Sequence, residues 1–371
     1  MISAATPLPC AGSAHLDLLR DELDELVDRV RRAHTSVEPA RLHARRTIED
    51  AACAAASLRL DGGLRTSADG AHVERAGTWL DALGERASVT DDVSADELAT
   101  LATLEQQGVA AAIAADDLAD AFGRANTDAA GLGGALIMLH GRLTAGLVSD
   151  ERAGRLRRGP RVVHDASVGR VLFFPTDPAL LPEAWDQLLR SVTSGAGAAD
   201  LRTAPAVRAA LLHLELLRHQ PFDAANGRLA RAAARLALHA DGLLPGGLGA
   251  ADGELASDPL GYHKDVGASS RRRDATRWVE RMLEAHVAAL IGTLRALHID
   301  LPGDEDAPPP ALGDTFTLAD VSEATGDTTA NAVVRCSRWV LGGTATRVVG
   351  SGGLRFRRAE ALPEAAPLGP H

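Results

Sequence analysis

Apolar residues recur at three- and four-residue steps along most of this chain, the period of an amphipathic helix. From Ala14 to about Arg46 they fall at Leu16, Leu18, Leu19, Leu23, Leu26, Val27 and Val30. A second helix is predicted from about Pro39 to Leu60, stopped at Asp61-Gly62-Gly63, where paired glycines supply a C-terminal end. Further helices are predicted over about 71–87, 94–123 and 130–147. The period then shortens. Arg161-Val162-Val163-His164 and Gly169-Arg170-Val171-Leu172-Phe173-Phe174 read as two short strands of a hairpin behind a basic loop, Gly154 to Pro160. Pro182-Glu183 starts a helix through Leu189. From about Pro205 to Arg218, Val207, Ala210, Leu211, Leu214 and Leu217 form an apolar stripe. A helix from Gly227 to about Ala240 follows, stopped by Asp241-Gly242, and Asp258 to Asp265 and Thr276 to Leu297 read as helical.

Residues 301–312, opening Leu301-Pro302-Gly303-Asp304-Glu305-Asp306, form an acidic, proline-rich linker that cannot bury itself. Beyond it, Phe316 to Gly326 reads as helix and turn, Thr328 to Leu341 as a second helix, and Thr344 to Val349 with Leu354 to Arg357 as a hairpin. Helix, turn, helix and hairpin is winged-helix order over 313–360. The tail, 361–371, is expected to be disordered. The fold class is therefore mainly all-α.

Composition narrows the function classes. Ala, Leu and Arg dominate the 371 residues, with a single lysine, Lys264, and 3% aromatics, which favours helices. A net charge of −11 excludes a whole-surface polyanion trap, so DNA binding would rest on a local patch. The arginines at 335, 338, 347, 355, 357 and 358 offer one. Asp314, Asp320, Glu323, Asp327 and Glu360 largely cancel it, and DNA is not favoured as a partner. Cys10, Cys53 and Cys336 are far apart and show no metal-ligand spacing, as in a reduced, cytoplasmic protein. No apolar run reaches membrane-spanning length.

The chemistry concentrates in Arg218-His219-Gln220-Pro221-Phe222-Asp223-Ala224-Ala225-Asn226-Gly227-Arg228-Leu229-Ala230-Arg231. One helix runs in and another leaves. Asn226 is suited to cap the second helix and Gly227 to let the backbone turn, which aims free N–H groups outward beside Arg228 and Arg231. Phosphate is the natural occupant. His219, just upstream, has the side-chain type that moves protons near neutral pH, although it also suits the C-terminal end of the first helix.

This stretch resembles the Fic family motif, His-Pro-Phe-x-(Asp/Glu)-Gly-Asn-(Gly/Lys)-Arg-x-x-Arg. Pro221-Phe222 and Asn226-Gly227-Arg228-x-x-Arg231 fall at the family spacing, with Phe222 as a core anchor. The departures lie on the chemistry. Gln220 stands at the catalytic histidine position with His219 one residue early. Ala224 stands at the metal-ligand carboxylate position with Asp223 one residue early, and Ala225 replaces the first glycine. In that family a β-hairpin flap precedes the motif and aligns the target by strand addition; the hairpin within Gly154 to Pro175 resembles it. Leu139-His140-Gly141-Arg142-Leu143 resembles the helix leading into the flap. Ser57-Leu58-Arg59-Leu60-Asp61-Gly62 resembles the inhibitory (Ser/Thr)-x-x-x-Glu-(Gly/Asn) helix, with Asp for Glu.

The resemblance implies an N-terminal helical region (1–133) carrying the inhibitory segment, a Fic-like core (134–288), and a winged-helix unit. It implies ATP with Mg²⁺ or Mn²⁺, and transfer of AMP to a Ser, Thr or Tyr hydroxyl of an unidentified protein target or of the chain itself. Asn226, Gly227, Arg228 and Arg231 would bind phosphates, His219 would act as base only through a shifted loop, and Asp223 would reach the metal by the same shift. Gln220 cannot be a base, since an amide has no useful pKa. Ser57, Asp61 and Gly62 would restrain the site through Arg231. The rival reading is a non-catalytic nucleotide-binding regulator acting through the winged helix; a third keeps the fold but removes AMP or transfers another phosphate-linked group. A homodimer is compatible with the sequence but not required by it.

Overall fold

The computed structural model describes residues 7–62, 64–67, 95–124, 128–165, 171–193, 204–299, 308–341, 344–350 and 353–358. The expected helix at 71–87, most of the acidic linker and the tail lie outside the described residues. Helix α1 (Ala14–Ser36) starts where the Ser13 hydroxyl accepts from the Leu16 N–H at 3.0 Å. It stops at Val37, whose backbone is extended, and Pro39 opens α2 (Pro39–Gly62). Proline suits the first turn of a helix and disfavours helix before it, so the periodic run to Arg46 divides into two elements. Strand β1 (Leu64–Ser67) follows at once. The single helix expected over 94–123 is two, α3 (Ala95–Ile113) and α4 (Asp116–Arg124).

After α5 (Ala129–Leu143) come β2 (Val162–Asp165) and β3 (Val171–Phe173), the hairpin read from the sequence. The sheet has three strands in the order β1-β2-β3, both pairs antiparallel, with β1 pairing Leu64 to Asp165 through Ser67 to Val162.

Helices α6 (Leu181–Thr193), α7 (Pro205–His219) and α8 (Asn226–Ala240) lead to and through the motif. The sequence shows one apolar stripe on α7, but from Ala206 to His219 every residue except Arg208 is buried. Helices α6 and α8, with α10 (Pro259–Arg272) and α11 (Thr276–Ala296), enclose it, as suits a helix apolar nearly all round. A short helix, α9 (Asp252–Leu255), precedes α10. Trp278 of α11 is fully buried and donates through Nε1 to the Ala210 carbonyl at 2.8 Å. One continuous core takes residues from Leu8 through Leu297, so the N-terminal helices and the motif helices share it.

The C-terminal unit has its own small core of Leu312, Phe316, Val321, Ala332, Cys336, Trp339, Ala345 and Phe356. Its elements are β4 (Thr315–Phe316), α12 (Leu318–Thr325), α13 (Thr329–Leu341), β5 (Ala345–Gly350) and β6 (Gly353–Arg358), with the sheet ordered β4-β6-β5. Thr317 and Asp320 form a reciprocal capping box at the start of α12. No helix among the described residues is long and apolar enough to cross a membrane.

Candidate functional site

The loop between α7 and α8 is six residues long and turns twice through the left-handed region, at Gln220 (φ 43°) and at Ala225 (φ 57°). Each is a strained position for a residue with a Cβ, costing about 1–2 kcal/mol, and surrounding contacts hold it. Asn226 is not the cap expected from the sequence. Ala225 takes the cap position and Asn226 begins α8 with its amide turned back over the loop. Its Oδ1 accepts from the Phe222 N–H at 2.9 Å and its Nδ2 donates to the Phe222 carbonyl at 2.7 Å. The left-handed turn just before Asn226 brings residue 222 within reach, so the side chain ties the loop rather than the helix end.

Phe222 is wholly buried, stacked on His140 with centroids 4.1 Å apart and edge-on to Trp185 at 5.6 Å. His140 is itself fixed by backbone. Its Nδ1 accepts from the Gly154 N–H at 2.9 Å, so the hydrogen lies on Nε2, 3.1 Å from the Ala224 carbonyl. Burial lowers its pKa to about 4, keeping the ring neutral. Arg157 staples the loop from the other side. Its N–H donates to Pro221, its Nε donates to the Gln220 carbonyl at 2.7 Å, and its guanidinium also serves the carbonyls of His219, Gly159 and Thr176. Burial lowers its pKa to about 10, still charged at neutral pH.

His219 ends α7 and is 2% exposed. Its Nε2 lies 3.0 Å from both Glu215 Oε2 and Arg218 Nη2, and its Nδ1 lies 2.6 Å from the Thr176 hydroxyl. Burial lowers the His219 pKa, with Glu215 opposing and Arg218 adding to the effect. Burial alone would raise Glu215, but the His219 hydrogen bond, Arg218 and the Leu8 N–H outweigh it, and the carboxyl stays below the usual range. Both ring nitrogens of the expected base are thus occupied inside the helix packing. Asp223, the expected metal ligand, forms an ion pair with Arg152 at 2.8 Å.

The expected inhibitory segment meets the motif arginines directly. Arg231 donates through Nε to Ser57 Oγ at 2.9 Å and through Nη2 to the Ser57 carbonyl at 2.7 Å, and the same Nη2 lies 2.8 Å from Asp61 Oδ1. Arg228 is wholly buried, 2.5 Å from Glu105 Oε1 of α3 and 3.8 Å from Asp61 Oδ2. Burial works against the Arg231 charge, but Asp61, with Tyr262 and Asp252, more than offsets it and raises its pKa. The end of α2 is tied by His263 Nε2 to the Leu60 carbonyl at 2.8 Å and by Arg59 to the Ala256 carbonyl. Burial lowers the His263 pKa to about 4, so it donates as a neutral ring. Gly62 ends the helix.

Asp61 also packs on the start of α8. A Cβ at Gly227 would fall 2.3 Å from Asp61 Oδ1, so glycine is needed for the acid to sit there. A carboxylate at a helix N-terminus between two arginines occupies the position an anionic ligand would take. Arg228 Nε and Nη2 and Arg231 Nη1 remain buried with no hydrogen-bond partner among the described residues. The cavity bordering both arginines holds about 20 Å³, room for a water or two. The arginines fit phosphate chemistry, and the space beside them is closed in this arrangement.

The motif's metal-ligand position is held by Ala224, and Asp223, the carboxylate beside it, is paired with Arg152.

Residues 134–238 match the sequence model of the Fic/DOC family. Among solved structures, a Fic family protein from Desulfovibrio desulfuricans G20 is similar over 96% of this chain and 99% of that one, with 19% identity and a TM-score of 0.54. A fragment of Fic-1 from C. elegans is similar over 75% of this chain and 71% of that one, with 20% identity and a TM-score of 0.43. No curated protein matches. The family match thus covers the centre of the chain, and the mainly helical fold is similar to that of the Desulfovibrio Fic protein. Members of the family commonly transfer AMP to proteins.

Sequence reasoning missed Arg157, Glu105, Glu215 and Arg152, and placed His140 only within the helix leading into the flap. Glu215 and His219 stand four apart on one helix, a spacing that signals their contact. Arg157 and His140 bind main-chain atoms, which leave no mark in a sequence.

Proposed function

We propose that this protein is a Fic-fold nucleotide-binding protein whose phosphate site is held closed by its own α2. The observation that carries the reading is Asp61, seated against Gly227 and paired with Arg231 and, more distantly, Arg228. The acid supplies the charge a nucleotide phosphate would bring. Removing it leaves the buried Arg231 without its closest carboxylate, while Arg228 keeps Glu105, a loss of about 3–5 kcal/mol that a bound phosphate would relieve. Asn226 serves this site by fixing the loop, Gly227 by admitting close approach, and Arg228 and Arg231 by charge-assisted hydrogen bonds.

The test compares ATP binding by calorimetry for wild type, Asp61→Ala and Asp61→Ala/Arg231→Ala, with thermal melts to verify folding. Asp61→Ala should bind at least about tenfold more tightly than wild type, and the double variant should lose the gain. A folded Asp61→Ala protein that binds ATP no better than wild type would sink the reading.

Transfer of AMP to a protein hydroxyl is the second reading, supported by the family match at 134–238. It requires His219 to leave Glu215 and Thr176, because a ring with both nitrogens engaged cannot take a proton from a target. Labelled ATP supplied to Asp61→Ala with cell lysate tests it: label that disappears in Asp61→Ala/His219→Ala supports His219 as base. DNA binding through α13 is disfavoured by the burial of Ala332, Val334, Cys336, Ser337 and Trp339 on that helix.

A further inference from the structure

Strand β1 has no counterpart in the sequence pattern, and its place in the sheet gives it a role. It is an outer strand, four residues long, joined to β2 in register from Leu64–Asp165 to Ser67–Val162. The opposite edge is anchored: Arg271 of α10 donates to the Leu172 carbonyl of β3 at 3.3 Å, and a Cβ on Gly267 would stand 2.8 Å from that same oxygen. The hairpin is therefore fixed to the helical body through β3, while β1 covers the remaining edge of β2.

Only two residues, Gly62 and Gly63, separate Asp61 from β1. From Asp61 to Leu64 the extended chain spans at most about 11 Å. We propose that Asp61 and β1 form one latch with two bolts. The acid fills the anion site, the strand fills the edge of β2, and an extended polypeptide segment that takes the β2 edge in place of β1 draws Asp61 off Arg231. The partner is defined by its backbone: an unpaired strand edge offers alternating N–H and C=O groups to any extended chain, and β1 already satisfies them. Displacement exchanges one set of main-chain hydrogen bonds for an equivalent set, so the partner need only outcompete a four-residue strand. Two successive glycines are the residue types that restrict backbone direction least. In this arrangement peptide docking opens the phosphate site, which couples occupancy of the two. The inference rests on the reading of Asp61 as the occupant of the anion site.

The test acts on the strand backbone and leaves Asp61 intact. Thr66→Pro and, separately, Arg65→Pro remove N–H donors from adjacent positions of β1, so at least one breaks the ladder. Hydrogen exchange is followed at residues 57–61 in the full chain, alongside ATP affinity. At least one variant should exchange about tenfold faster at 57–61 than wild type and bind ATP more tightly, approaching Asp61→Ala. A synthetic peptide with the sequence of residues 62–69, added to that variant, should protect 162–165. Unchanged exchange at 57–61 in both variants, with melts like wild type, overturns the coupling. Faster exchange with no gain in ATP affinity, while Asp61→Ala does gain, also overturns it. If Asp61→Ala itself shows no gain, it is the closed-site reading that fails, and exchange at 57–61 still decides whether strand and helix end move together.

Discussion

A Cβ added to Gly227 would stand 2.3 Å from Asp61 Oδ1 and 3.1 Å from Arg231 Nη1. Neither neighbour can retreat freely. Asp61 is pinned by the end of α2, which His263 ties through Leu60, and Arg231 is pinned by Ser57. Gly227→Ala should therefore destabilise the protein by about 1–3 kcal/mol, the usual cost of overpacking, despite the better helix propensity of alanine. In an Asp61→Ala background the space is vacant and the same change should cost less than about 0.5 kcal/mol. Urea unfolding of the four proteins gives the coupling, and purely additive changes would show that Asp61 does not stand against α8. The contact was legible only through the resemblance of Ser57 to Gly62 and of Arg231 to the two family motifs. The roles of Asn226, Arg157 and His140 were not, because their partners are carbonyls and amides common to every residue.

Helix α13 is buried on two faces. Ala332, Cys336 and Trp339 belong to the small C-terminal core, while Val334 joins the main core, Ser337 Oγ donates to Glu22 Oε2 at 2.5 Å, and Arg29 Nη2 donates to Asn331 Oδ1 at 2.6 Å. In a helix-turn-helix the second helix is the one that enters the major groove, and a helix packed against α1 cannot do so. The full chain should accordingly show no salt-dependent shift with duplex DNA at either low or moderate ionic strength. Glu22→Ala with Arg29→Ala should loosen the seam and lower the melting temperature without creating specific binding. Tight, strongly salt-dependent binding by the wild-type chain would contradict this arrangement. The existence of α12, α13 and the hairpin was readable from period and turn residues. The short strands β1 and β4 were not, since two to four residues carry no measurable period and form only because a partner strand accepts them. The break near Val37 was marked by Pro39, where the second helix was expected to start, whereas at Ala114–Ala115 apolar spacing continues across the break.

Across the whole molecule, several buried histidines are kept neutral, His140 and His263 among the groups that hold the site, and this sets the response to acid. The pKa values of His140, His263 and His286 are lowered to about 4, chiefly by burial, and those of His213 and His219 are lowered as well. In the unfolded chain each returns to an ordinary value near 6.5, so between about pH 6.5 and 4 the unfolded state binds more protons and stability falls as pH falls. Stability is unaffected by these groups above that window, and below it the folded rings also protonate and the loss levels off. A shift of this size corresponds to about 3 kcal/mol per histidine as an upper bound, against a total stability of about 5–15 kcal/mol for a folded domain. Glu215 acts in the same direction at lower pH, since a carboxyl held below its usual range loses its contribution as it protonates. Protonation at His140 also breaks its acceptor contact with Gly154, so the motif loop should loosen with the global transition rather than after it. Melting temperature should therefore hold steady from pH 8 to about 6.5, fall steeply below it, and reach unfolding before about pH 4 with uptake of several protons. His140→Gln should shallow the slope. A melting temperature unchanged between pH 7 and 4.5 would mean that these rings are not held neutral, and that the loop is fastened by other means than α5.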